Sequence, residues 1–126
     1  DIDIPAAIAF HRAQGTEATV TAVQQPGRFG ALNLADGNKV ASFREKSMLD
    51  GPMINGGFFV LEPAVLDRIE GDDTVFEDAP LRSLVEDGQL SVYRHDGFWQ
   101  NMDTLRDKHV LQGLWSEGRA PWRVWA

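Results

Sequence analysis

The apolar positions of this chain change period from segment to segment, and each period implies a different element. Ile4, Ala7, Ile8 and His11 fall on one helical stripe behind Asp3, a good N-cap, and Pro5, suited to a first turn. A short helix is therefore expected to run to about Gly15. Glu17 to Val23 (EATVTAV) is β-branched and alternating, which predicts a strand, and Gln24-Gln25-Pro26-Gly27 reads as a loop. Phe29 to Leu34 and Lys39 to Lys46 flank the Asp36-Gly37 pair of a hairpin turn and are expected to pair with each other. Ile54 to Leu61 (INGGFFVL) is a nearly continuous apolar run, the pattern of a strand buried on both faces, and it is predicted to be the central strand.

Further along, Pro63 opens a short helix through Ile69, and Pro80 to Glu86 forms another that Gly88 closes. Gln89 to Arg94 is a strand by pattern. Thr104 to Asp107 reads as a capping box, after which Val110, Leu111, Leu114 and Trp115 make the apolar stripe of the longest helix. Strands and helices alternate, so the fold class is α/β. The glycine-rich turn that follows the first strand of an open nucleotide-binding sheet has no counterpart here, and the sheet looks incomplete.

Composition narrows the functional classes. The 126 residues suffice for one core, and four Trp with seven Phe supply it. A net charge of −7 argues against a nucleic-acid binder, which needs a basic stripe. The absence of cysteine removes disulfides, zinc thiolates and thiol nucleophiles, as suits a reducing compartment. No apolar run approaches a membrane span, and no targeting peptide follows Asp1. A chain that starts with Asp1 is expected to begin within a longer protein.

Three groups of residues could carry chemistry. Gly56 and Gly57 interrupt an otherwise ideal strand, which means either tight packing or close approach of a ligand, and Asn55 beside them offers both donor and acceptor to a polyol. Glu45 and Lys46 are either a solvated pair at a strand end or a hydroxyl acceptor and a phosphate-binding point charge. Asp103 lies just before the capping box, whose Thr104 and Asp107 already satisfy the helix amides, so it is spare either to hold Mg²⁺ or to stabilise the helix dipole. His11, His95 and His109 lack ligand spacing and read as surface or core filling. The acidic run from Glu70 to Asp78 reads as solvated, and Trp115, Trp122 and Trp125 suit either a core lid or an oligomer contact.

The strings PGRFGAL (26–32), FREK (43–46), INGGFFVL (54–61), GFWQNMDTLRDK (97–108) and APWRVW (120–125) together closely resemble the glucose-1-phosphate cytidylyltransferases, a family of sugar nucleotidyltransferases, along essentially the whole chain. The resemblance implies a Rossmann-like mixed sheet represented by its C-terminal part. It also implies a cytoplasmic, Mg²⁺-dependent homo-oligomer that makes CDP-glucose and pyrophosphate from CTP and glucose 1-phosphate for deoxysugar and O-antigen synthesis. By the same resemblance Lys46 would hold the sugar phosphate, Glu45 the glucose hydroxyls, and Gly30 would offer its backbone to the sugar. Asn55 and Gly56 would line the pocket, and Asp103 would be one of two Mg²⁺-binding aspartates. Lys46 and Asp103 would then be the catalytic pair.

The chain departs from the family pattern at Ser47 and Asn101, where proline is usual. The family's glycine-rich nucleotide loop, a following basic residue and the first metal aspartate are expected upstream of Asp1. Residues 1–126 are thus expected to be the sugar-phosphate-binding and oligomerising part of the enzyme, inactive alone. The alternatives are a non-catalytic interaction module and a relative that uses dTTP or UTP.

Overall fold

The structure, a computed structural model, describes residues 1–24, 31–34, 39–44 and 52–125. Helix α1 spans Ile4–Gln14; the Asp3 carboxylate accepts from the Ala6 amide at 2.9 Å, and Gly15 ends the helix at φ 69°. Strands β1 (Ala18–Gln24), β2 (Ala31–Leu34), β3 (Val40–Arg44), β4 (Met53–Leu61) and β5 (Leu90–His95) follow, with a 3₁₀ helix at Pro63–Arg68 and helix α2 at Ala79–Glu86 between the last two. Helix α3 covers Leu105–Ser116. Strands β2 and β3 pair antiparallel, with Leu32 opposite Phe43, as the hairpin pattern predicts.

The other three strands form a mixed sheet in the order β4-β1-β5, antiparallel on one side of β1 and parallel on the other. This corrects the expectation for Ile54 to Leu61: the central strand of the described sheet is β1, and β4 flanks it. Burial agrees. Ala18, Thr19, Thr21, Ala22 and Val23 are all buried, whereas Phe58 and Leu61 are 47% and 42% exposed. An apolar run shows that a strand has two hydrophobic faces, not that both are covered.

Strand alternation explains how β1 is covered on both sides. Thr19 points to α1, where its hydroxyl meets His11, and Tyr93, on the same face, packs its ring 5.5 Å from Phe10. Ala18 points the other way, into a core with Val65 of the 3₁₀ helix, Leu84 of α2, and the partly buried Phe76, Leu81 and Leu90. Helix α1 thus lies on one face and the 3₁₀ helix with α2 on the other. Arg68 fastens the second layer to the sheet. Its guanidinium donates to both oxygens of Glu17 at 2.8 and 3.0 Å, to Asp87 at 2.7 Å and to the Ser83 hydroxyl at 3.0 Å.

Candidate functional site at one edge of the sheet

Because β1 and β5 are parallel and β4 runs against them, the C-terminal ends of β1 and β5 and the start of β4 meet at one edge of the sheet. In open α/β sheets the carboxyl ends of parallel strands are where ligands bind. Asn55 and Gly56 lie on β4 near this edge, and the segment after His95, from Asp96 to Asp103, leaves β5 there.

Strand β4 carries a bulge at the two glycines. Val20 pairs with Phe59 and Ala22 with Asn55, so Thr21 alone stands opposite Gly56, Gly57 and Phe58. A Cβ on Gly56 would sit 2.9 Å from Val23 Cγ1 and 3.0 Å from the Thr21 carbonyl, so only glycine lets β4 approach β1 this closely. Gly57 adopts φ 81°, and its amide donates to Asn55 Oδ1 at 2.8 Å, closing the bulge. Of the two readings open for Gly56, tight packing is the one seen.

The indole Nε1 of Trp99 donates to the Gly56 carbonyl at 3.1 Å and ties the 98–103 segment to β4. Behind it, Phe98 O accepts from His95 Nε2 at 3.0 Å. The His95 ring folds over Gly97, where a Cβ would lie 2.7 Å from His95 Cε1. The far end of the segment is anchored on α3. Asp107 Oδ2 accepts from the Asp103 and Thr104 amides at 3.2 and 3.0 Å, and Thr104 Oγ1 accepts from the Asp107 amide at 3.1 Å. The capping box read from the sequence is present, and Asp103 is not used as a cap.

Asp103 itself is exposed, and its Oδ2 accepts from Asn101 Nδ2 at 2.8 Å. Gln100 Nε2 lies within reach of Asn101 O (3.1 Å), Asn101 Oδ1 (3.2 Å) and Asp107 Oδ1 (3.3 Å). Among the described residues no three His, Asp or Glu side chains gather as a metal cluster. Of the residues singled out in the sequence, Asn55, Gly56 and Asp103 are described; Gly30, Glu45 and Lys46 lie outside the described residues. The sequence reading gives Trp99, Gln100 and Asn101 no role and Asp107 only that of a helix cap, although a segment lodged between a strand end and a capping box is itself a sequence signal for a positioned loop.

An apolar cleft of about 930 Å³ lies beside this edge, lined by Ile4, Phe58, Phe98, Trp99, Leu111 and Trp122 among others. Phe98 and Trp122 stack at 5.7 Å, and Arg123 sits 5.5 Å from the Trp115 ring. The cleft shares the 98–100 segment with the candidate site but includes neither Asn55 nor Asp103, so it is a neighbour of the site rather than the site. Helix α3 has no buried residue, and its predicted stripe is largely open, with Val110 44% and Trp115 49% exposed.

Comparison with known proteins gives a consistent family of similarities. Over 125 residues, 99% of this chain, the sequence is 56% identical to the glucose-1-phosphate cytidylyltransferase of Salmonella typhimurium, of which it covers 48%. It is also 36% identical over 110 residues to a mannose-1-phosphate guanyltransferase of Neurospora crassa, covering 83% of this chain and 30% of that protein. The chain thus spans about half, or less, of the curated relatives it matches. No protein-family model matches it. Among solved structures, a Bacillus anthracis protein described as a glucose-1-phosphate thymidylyltransferase, in complex with sucrose, superposes with a TM-score of 0.58 at 17% identity, over 94% of this chain and 50% of that one. The fold is therefore that of about half of a sugar-1-phosphate nucleotidyltransferase.

Proposed function

We propose that this chain is the C-terminal, sugar-phosphate-binding half of a glucose-1-phosphate cytidylyltransferase. The intact enzyme would join CTP and glucose 1-phosphate to give CDP-glucose and pyrophosphate. The observation that carries this reading is 56% identity along nearly the whole chain to an enzyme of that name. Chemically, a phosphate oxygen of the sugar phosphate attacks the α-phosphorus of CTP in line and pyrophosphate leaves with the bond electrons. Such a reaction asks the protein for alignment and charge neutralisation rather than a strong base.

In this reading Lys46 neutralises the sugar phosphate, while Glu45, Asn55 and the backbone at Gly30 and Gly56 receive the glucose hydroxyls. Asp103 holds Mg²⁺. The donor set fits that ion: one exposed carboxylate has one oxygen engaged by Asn101, and Mg²⁺ characteristically takes one or two carboxylates and completes its octahedron with water and substrate phosphates. When bound, Mg²⁺ would offset charge on the phosphates. The cytidine-binding half lies outside this chain, and the cytoplasm, with its nucleoside triphosphates, is the expected setting for a homo-oligomeric enzyme feeding deoxysugar and O-antigen synthesis.

The test is turnover by the full-length protein with glucose 1-phosphate and each of CTP, dTTP, UTP and GTP in Mg²⁺. CTP is expected to be preferred, and Asp103→Ala is expected to lower kcat at least 100-fold; unchanged turnover in that variant would remove Asp103 from the site. A second reading, a non-catalytic module that keeps the sugar-phosphate surface, draws support from the chain's coverage of only about half of its relatives. Turnover by the full-length protein separates the two, because only the enzyme-half reading expects it; in calorimetric titration of the 126-residue chain that reading expects no CTP binding, and measurable CTP binding would overturn it.

A further inference from the structure

We propose that Asn101 is a positioning residue that fixes the orientation of the Asp103 carboxylate toward a divalent cation, and that Gln100 and Asp107 in turn hold Asn101. The inference rests on the reading of Asp103 as a cation ligand and adds to it residues that reading does not include.

The hydrogen bonds leave only one direction for the amides. Asp107 and Asp103 are acceptor-only carboxylates at the two ends of the relay, and Gln100 and Asn101 lie between them. Asn101 Nδ2 donates to Asp103 Oδ2 at 2.8 Å while Asn101 Oδ1 accepts from Gln100 Nε2. Flipping the Asn101 amide would set its oxygen against the Asp103 carboxylate and its NH₂ against that of Gln100, two repulsive contacts in place of two bonds. Gln100 is held the same way, because its NH₂ also faces Asp107 Oδ1. Asp107 is fixed in turn by the capping box. The direction of the Asp103 carboxylate is therefore referenced, side chain by side chain, to the first turn of α3.

Two further facts make that orientation useful. The capping box is complete without Asp103: Thr104 Oγ1 takes the Asp107 amide and Asp107 Oδ2 takes the amides of 103 and 104, so the Asp103 carboxylate is not drawn in as the cap. Among the described residues Asp103 Oδ1 accepts no hydrogen bond and no basic side chain pairs with Asp103. With Oδ2 engaged by Asn101 and the residue exposed, the second oxygen is left for a ligand, as a single-oxygen contact to a small octahedral cation requires. Side chains that orient a metal ligand in this way typically change metal affinity by about 10–100-fold when removed.

The experiment uses the full-length protein and reads Mn²⁺ binding by electron paramagnetic resonance, without turnover, beside the Mg²⁺ dependence of kcat. Asn101→Leu, similar in size but without a donor, is expected to weaken Mn²⁺ binding about tenfold and to raise the half-saturating Mg²⁺ by the same factor. Its kcat at saturating Mg²⁺ and its thermal midpoint should hardly move. Asn101→Gln, which keeps an amide donor, should recover part of the affinity. Asp103→Ala serves as the reference for the site itself. If Asn101→Leu binds Mn²⁺ as tightly as the parent while Asp103→Ala does not, the positioning role is overturned and the assignment of Asp103 stands. If Asp103→Ala also binds as tightly, the assignment fails with it. Equal losses in the Leu and Gln variants together with a lowered thermal midpoint would mean that Asn101 only supports the loop, and would likewise overturn the proposal.

Discussion

At the scale of single residues, Gly56 shows how close packing alone can require glycine at a position that also suggests ligand binding. The nearest obstacles to a Cβ are a backbone carbonyl and the branched methyl of a buried valine, neither of which is a flexible chain end. Gly56→Ala is therefore expected to destabilise the fold by about 1–3 kcal/mol, seen as a lowered denaturation midpoint with an unchanged slope. His11 is the complementary case. It is 3% exposed, with Nδ1 2.8 Å from Thr19 Oγ1 and Nε2 3.0 Å from Glu62 Oε1. A carboxylate only accepts, so Nε2 carries a proton and the threonine hydroxyl serves Nδ1. His11→Ala opens a cavity and strips Thr19 of its partner, and chemical denaturation should register a loss of about 2–4 kcal/mol. The sequence shows why Asp103 is spare, since the capping box next to it is complete without it. It does not show that Asn101 bonds to Asp103, because a contact two residues apart depends on backbone angles that composition leaves open.

At the scale of elements, local signals are legible in the sequence where one short-range interaction decides the outcome. The Asp3 cap, the left-handed Gly15 and Gly88, and the Thr104–Asp107 box all appear as expected, because each is a bond or a φ angle within a few residues. The box carries more than a helix end, since Asp107 also holds the Asp103 amide and faces Gln100. Asp107→Ala should accordingly cost more than the roughly 1 kcal/mol of an ordinary cap, and hydrogen exchange should show the amides of 103 and 104 opening together. The rank of the strands departs from the hydrophobic pattern for a different reason. Alternating Thr and Val in β1 looks half-solvated, yet Thr19 and Thr21 are 1% and 3% exposed. For Thr19 this is possible because a helix histidine takes up the hydroxyl, a long-range event that no local pattern records.

At the scale of the whole molecule, the layer formed by the 3₁₀ helix and α2 is joined to the sheet by both apolar packing and a charged clasp. Hydrogen bonding and attraction from the Arg68 guanidinium hold the Glu17 carboxyl below its ordinary range, and the same pair raises Arg68 further above its own. The folded state thus binds the Glu17 proton less readily than the unfolded chain does. Its contribution is complete above the ordinary carboxylate range, shrinks as pH falls through it, and is gone once the folded carboxyl is protonated. Thermal denaturation between neutral pH and about pH 3 should show a smaller acid-induced drop for Glu17→Gln than for the parent. The α/β class was legible from the order of elements, whereas the mixed direction of the sheet was carried by resemblance, because hydrophobic period cannot tell parallel from antiparallel pairing.

The central place of β1 has a consequence for how the molecule comes into being. Residue 18 pairs with residue 61 on one side and residue 90 on the other, so the middle of the sheet is synthesised before either neighbour. At about 5–20 residues per second, a growing chain carries this strand for several seconds with both edges open and then with one, the period in which an unpaired strand invites association with another chain. Threonine at positions 19 and 21, in place of valine or isoleucine, makes that waiting segment less hydrophobic than an all-aliphatic strand would be.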